Sequence, residues 1–113
     1  MATVAEVGRR SPIKPLELLR HIESATAPTI VDVRSGWEFE KGHVPGALHI
    51  PFWAAFGRSS EIPTAHEAPV IVYCAHGPRA GFAKAALRLS GFHRVLYLEG
   101  HMSGWRKLGL PVE

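Results

Sequence analysis

Five residues, Pro69-Val70-Ile71-Val72-Tyr73, form the most strand-like segment of the chain, and they run without a break into Cys74-Ala75-His76-Gly77-Pro78-Arg79 and then into a helix-forming stretch. A short β-branched run bounded by turn residues is the pattern of a strand buried on both faces of a parallel sheet. With a helix starting directly after it, the segment is one strand-turn-helix unit, and this commits the chain to an α/β plan. Length bounds that plan. With 113 residues, 46% apolar and 20% charged, the chain is long enough for one domain and too short for two. A domain of this size buries roughly 65% of the surface its unfolded chain exposes, so it needs no metal or disulfide to hold a core. The single cysteine excludes an internal disulfide in any case.

Composition excludes several classes of function. Lys and Arg total 13 against 10 Asp and Glu, a net charge of +3, and the basic residues are scattered, so nucleic-acid binding is not expected. The longest strictly apolar run, residues 68–75, falls far short of the roughly 18 needed to cross a bilayer. No membrane association is expected. The opening MATVAEVGRRSP carries Glu6 and no apolar core of a secretory leader. A cytoplasmic, reducing compartment is therefore the expectation, and a lone thiol would stay reduced there.

The remaining elements follow from periodicity and punctuation. Residues 1–11 show no hydrophobic period and read as a loose arm, leaving residues 12–113 as the folded domain. Pro15 opens a helix over 14–24, in which Leu16, Leu19 and Ile22 recur at helical spacing; a strand follows over 29–33. Ser35-Gly36-Trp37-Glu38 is a capping-box pattern for a short helix that Gly42 ends. Pro45-Gly46 marks a turn, 47–50 a brief strand, and Pro51 another short helix with Phe52, Trp53 and Phe56, before a polar loop over 57–68. After the cysteine comes a helix over 79–90 with Phe82, Ala83, Ala86 and Leu87 on one face and Gly91 as its stop. A strand over 95–98 and a last helix over 100–108 with Trp105 complete the series, and strands alternating with helices predict a mostly parallel sheet between helical layers.

In an open parallel sheet, ligands gather outside the carboxyl ends of the strands, and Cys74 stands at such an end. The turn into the helix can aim successive backbone N–H groups at the sulfur, while the helix N-terminus adds about half a positive charge. Both favour the thiolate. Sites of this kind lower a cysteine pKa from about 8.5 to roughly 3.5–7.5. Gly77 permits the tight curvature, Pro78 stiffens the loop at the loss of one donor, and Arg79 offers a fork of donors for an oxyanion or for the loop's carbonyls. The bland alternative is a small buried hydrophobe at a strand end.

These residues also carry a resemblance. Asp32-Val33-Arg34 with Glu38-Phe39, then Gly42-His43-Val44-Pro45-Gly46-Ala47 and His49-Ile50-Pro51, resemble the N-terminal motif of the rhodanese family of sulfurtransferases. The C-x-x-G-x-R run from Cys74 is similar to its active-site loop, and Leu98-Glu99-Gly100 through Trp105 to its closing motif. The resemblance implies a rhodanese-like three-layer α/β sandwich in which Cys74 takes up a sulfane sulfur as a persulfide and passes it to cyanide or a thiol. It also implies that Ala75, His76, Gly77, Pro78, Arg79 and Ala80 form the substrate-binding loop, with no cofactor, and that Asp32, Arg34, Glu38 and His43 brace the site rather than react. Two positions depart from the family pattern, with bearing on substrate preference. Ala80 stands where Ser or Thr is frequent, and His101 where a second glycine is usual.

Loop size separates this reading from that of same-fold phosphatases and arsenate reductases, which space cysteine and arginine as C-x5-R. Here the spacing is C-x4-R, a ring better sized for one sulfur atom, and the sole aspartate, Asp32, lies in a strand rather than near the loop as a general acid. His76 either faces the site entrance or is a solvent-exposed loop residue. His101 reads as a capping or surface histidine that could approach the same mouth. Phe52, Trp53 and Phe56 read as a core cluster or as an apolar pocket wall. Zinc is not expected, since Cys74 and His76 have no C-x-x-C or H-x-x-x-H partner. Two activities fit: an enzyme using a small-molecule sulfur donor and a thiol or cyanide acceptor by double displacement, or a persulfide relay or protein-binding module serving a protein acceptor.

Overall fold

Strands β1 (Thr29–Asp32), β2 (Leu48–His49), β3 (Pro69–Tyr73) and β4 (Arg94–Tyr97) run parallel in the order β2-β1-β3-β4 in the computed structural model, which describes residues 11–113. The loose arm expected over residues 1–11 lies, Ser11 apart, outside the described residues. β3 is central and buried along its whole length, as its β-branched run requires.

Alternation along the strands feeds two separate cores. Val70 and Val72 point with Val31, Val33 and Val95 toward helix α3 (Pro78–Leu89), which answers with Ala80, Ala83 and Leu87. Ile71 and Tyr73 point the other way with Ile30, Leu96 and Leu98, toward α1 (Pro15–Glu23) and α4 (His101–Lys107), which supply Leu18, Met102 and Trp105. The result is the three-layer sandwich expected, with helices covering both faces of a parallel sheet. Trp105 is fully buried, and its indole N–H donates to the Pro111 carbonyl at 2.7 Å, fastening the last residues to the body. The short α2 (Gly36–Glu40) buries none of its residues and sits after β1 rather than in either core.

Three details differ from the sequence expectation. In α1 the inward position is Leu18, with Leu19 and Ile22 packed at the margin, and Leu16 faces outward. In α3 the buried set is Ala80, Ala83 and Leu87, which places Phe82 outside at 70% exposure, its ring tilted against Phe52 at 6.1 Å. The segment after β2 is one 3₁₀ turn (Phe52–Ala54) rather than a helix; only Phe52 packs on the core, while Trp53 and Phe56 are exposed. The small Ala54 and Ala55, not the aromatics, turn inward, into the core that α3 shares.

Candidate functional site

Four parallel strands end on one edge of the sheet, and Cys74 leaves the central one there. Its sulfur accepts the Gly77 N–H at 2.9 Å, which requires the chain to double back within three residues; Gly77 does this at φ +136°, a conformation that side chains resist. Pro78 then starts α3 at its first position, where the missing N–H is no loss.

The loop is aimed from behind. The first turn of α4 donates to two loop carbonyls, Met102 N–H to Cys74 O at 2.9 Å and Ser103 N–H to Ala75 O at 3.2 Å. Across a trans peptide the N–H points opposite its carbonyl. Fixing those carbonyls therefore turns the amides of Ala75 and His76 away from α4, and the His76 N–H, with those of Gly77 and Ala80, favours the ionised sulfur. Burial pushes the Cys74 thiol up; hydrogen bonds from His101 and from the Ala80, Gly77 and His76 amides outweigh it and bring the thiol down to about 7. The thiol is buried among aliphatic side chains of the core, with the Gly77 N–H on its sulfur.

Arg79 finds a partner outside the loop. Its guanidinium makes a two-pronged pair with Glu38 of α2, Nη1 to Oε1 at 2.7 Å and Nη2 to Oε2 at 3.0 Å, rather than bonding loop carbonyls. Glu38 also takes the Ser35 N–H at 3.1 Å and the Ser35 hydroxyl at 2.7 Å, so one carboxylate caps α2 and anchors the loop. The Arg79 guanidinium, followed by Ser35, holds the Glu38 carboxyl down at about 2.

Beneath lies a buried network. Arg34 donates to both Asp32 carboxylate oxygens, the shortest contact being 2.7 Å from Nη2 to Oδ2, and also to Gly42 O at 2.8 Å. The Tyr73 hydroxyl donates to Asp32 Oδ2 at 2.7 Å and accepts the Val44 N–H at 3.0 Å. Burial, then the Asp32 charge, pushes the Tyr73 phenol well above its usual range. Asp32 and Arg34 therefore brace the loop that precedes β2. His43 donates from Nδ1 to Phe39 O at 2.9 Å and stacks on the Phe39 ring at 3.7 Å, and His49 donates from Nε2 to Arg34 O at 2.8 Å.

The residues singled out in sequence, Cys74 with Ala75, His76, Gly77, Pro78, Arg79 and Ala80, thus form one loop and helix start. His76 has an exposed side chain and contributes its amide. His101 is not a surface cap: at φ +54° it turns its ring back onto the loop, where Nδ1 accepts the Cys74 N–H at 3.2 Å. Sequence reasoning missed the Tyr73 hydroxyl and the Met102 and Ser103 amides. The first could have been sought in the pairing of Tyr73 with Asp32 on adjacent strands; the second have no side-chain signature.

A family model described as Rhodanese-like domain matches residues 14–108. The chain belongs to the rhodanese-like domain family. A protein named sulfurtransferase from Allochromatium vinosum is 39% identical over 83 residues, covering 74% of this chain and 76% of that one. Thiosulfate sulfurtransferase GlpE of Actinobacillus pleuropneumoniae serotype 7 is 34% identical over 101 residues, covering 89% and 91%. Among solved structures, the rhodanese-like domain of the Alr3790 protein from Anabaena sp. superposes with a TM-score of 0.80 at 28% identity, over 92% of this chain and 79% of that one. The rhodanese-like fold explains why the three sequence motifs converge: each follows a different strand of one parallel sheet, and all three end at the same edge.

Proposed function

We propose that this rhodanese-like protein is a sulfurtransferase that carries a sulfane sulfur as a persulfide on Cys74. The observation that carries the reading is the Gly77 N–H on Sγ at 2.9 Å, one member of a set of inward main-chain donors. Those donors keep the sulfur ionised and nucleophilic. With thiosulfate as donor, the Cys74 thiolate attacks the outer sulfur; a new S–S bond forms as the bond to the sulfonate sulfur breaks, and sulfite leaves with the electron pair. The persulfide anion then rests among the amides of the loop from Ala75 to Ala80. Cyanide or a thiolate attacks the terminal sulfur, and Cys74 departs as thiolate. The close family of relatives named as sulfurtransferases supports the same reading.

Arg79 also speaks against phosphoryl transfer. Its fork is occupied by Glu38, and the C-x4-R ring offers no second arginine to wrap a tetrahedral oxyanion. A reducing cytoplasmic setting suits a lone reactive thiol. A protein acceptor is a second reading, favoured by the exposed aromatics Trp53 and Phe82 on the elements that follow β2 and the cysteine loop.

Mass spectrometry after incubation with thiosulfate tests the proposal. Gain of one sulfur atom on Cys74, removed by cyanide with thiocyanate formed, is the expected result, with ping-pong kinetics in the full reaction. No gain from thiosulfate, mercaptopyruvate or glutathione persulfide would overturn it; gain from a persulfidated protein alone would favour the relay.

A further inference from the structure

His101 occupies a position that its own backbone disfavours. It is a non-glycine residue at φ +54°, directly after Gly100 at φ +75°, and two successive left-handed residues at a helix start need a reason. The reason on view is the side chain's destination. A backbone N–H can only donate, so in the 3.2 Å contact with Cys74 N–H the His101 Nδ1 must be the acceptor. That fixes the neutral ring with its proton on Nε2. Nε2 in turn lies over the loop, 3.4 Å from where a Cβ on Gly77 would stand, and Gly77 is the residue whose N–H reaches the sulfur. The ring therefore lies against the cysteine loop, and it favours the charged form of the Cys74 sulfur. Tyr97 of β4 lies beside it at 5.9 Å between ring centres, and Lys84 of α3 lies over the Tyr97 ring at 4.6 Å.

We propose that His101 is a side-chain donor to the reacting sulfur, its Nε2–H completing the ring of main-chain amides around Cys74. Resting on the sulfur-transfer reading above, this gives His101 a part in both half-reactions. In the first, the donor raises the fraction of Cys74 present as thiolate. In the second, the same hydrogen bond stabilises Cys74 as the leaving thiolate when the acceptor takes the terminal sulfur, because a better-stabilised thiolate departs faster. The other charged or titratable groups around the sulfur do not substitute for it. Arg79 is held by Glu38 of α2, His76 turns its ring to solvent, and Lys84 is stacked on Tyr97.

The test is the pH dependence of Cys74 alkylation by iodoacetamide, measured on the full chain and on two variants, with circular dichroism and thermal melting as the check on folding. His101→Gly removes the ring and suits the left-handed backbone, so it should fold at least as well as the parent. His101→Asn also suits that backbone, and its Oδ1 can still accept the Cys74 N–H, but no donor reaches the sulfur. The midpoint reads ionisation of the sulfur, whereas the plateau rate at high pH reads access to it, so opening a buried thiol is not mistaken for a change in its charge. Both variants should move the midpoint up by about one pH unit, leaving about fivefold less thiolate at pH 7. A midpoint in His101→Gly equal to that of the parent would overturn the proposal. So would a shift in His101→Gly with none in His101→Asn, since the Cys74 N–H contact rather than the Nε2 donor would then be responsible. Alkylation needs no sulfur donor, so these outcomes stand apart from failure of the transfer reading, which the persulfide assay reports.

Discussion

Arg79 closes the cysteine loop by gripping Glu38, Nη1 on Oε1 at 2.7 Å and Nη2 on Oε2 at 3.0 Å, across 41 positions of sequence. The pair joins the first turns of α2 and α3, so each short turn is anchored by the other. Glu38→Gln keeps the size and the contact to Ser35 but removes the charge. Chemical denaturation at pH 7 should show a loss of about 0.5–1 kcal/mol, the modest scale of a partly exposed pair. The loop end would also loosen, and persulfide formation should slow several-fold.

Acid should reveal the same pair. Glu38 is held at about 2 in the folded protein, below its ordinary carboxylate value near 4.5. A depressed carboxyl contributes stability that is present above the unfolded pKa and lost as pH falls toward the folded one. The parent protein should therefore lose the Glu38 contribution between about pH 4.5 and 2. Denaturation midpoints across that window should fall more steeply for the parent than for Glu38→Gln; parallel curves would contradict the pairing.

The sulfur itself gives the most direct readout. With the Cys74 thiol brought down to about 7, alkylation should rise with a midpoint near that pH, against about 8.5 for a free cysteine. Cys74→Ser, close in size and able to accept the Gly77 N–H, should remain folded by circular dichroism while losing both alkylation and sulfur uptake.

The buried network under the loop should respond in a fixed order. Tyr73→Phe strips one hydrogen bond from Asp32 and leaves the Val44 N–H without its acceptor, a loss of about 1–3 kcal/mol. Asp32→Asn instead leaves the Arg34 guanidinium buried beside a neutral amide, and breaking such a pair costs about 3–5 kcal/mol. Urea unfolding should rank Asp32→Asn as the more damaging, and an equal loss would mean that Arg34 finds solvent when unpaired.

What could be read in the sequence was what lies close along the chain. β3, the cysteine loop and the start of α3 are consecutive residues whose turn, charge and helix signals reinforce one another, and they stand where expected. Asp32 and Arg34, two apart, likewise revealed their bracing role. Arg79 did not, because its partner comes from another turn of the fold; nor did the Met102 and Ser103 amides of α4, peptide N–H groups that any residue would supply. Phe82 shows a different limit. Its helical spacing fits an apolar face, but which arc of α3 meets the sheet is set by the small Ala80 and Ala83 that allow close approach, and the phenyl ring is left on the rim. His101 was visible as a departure from a glycine position, while the direction of its ring needed the fold.

Gly77 offers a test of the whole cradle at one atom. At φ +136° a side chain is strained whatever the space, and a Cβ there would stand 3.4 Å from His101 Nε2 and 3.8 Å from its Cδ2. Gly77→Ala should therefore lose about 1–3 kcal/mol of stability and tilt both the Gly77 amide and the His101 ring off the sulfur. Gly46→Ala is the matched control. It is also strained, at φ +83°, but its Cβ would meet nothing within 4 Å, and the residue lies in the turn before β2. Both variants should melt earlier than the parent. Only Gly77→Ala should raise the alkylation midpoint of Cys74 and slow sulfur uptake, because only there does the displaced N–H belong to the set that holds the thiolate. If the two variants lose stability alike and the midpoint stays in place in both, the main-chain donors do not govern the charge on the sulfur.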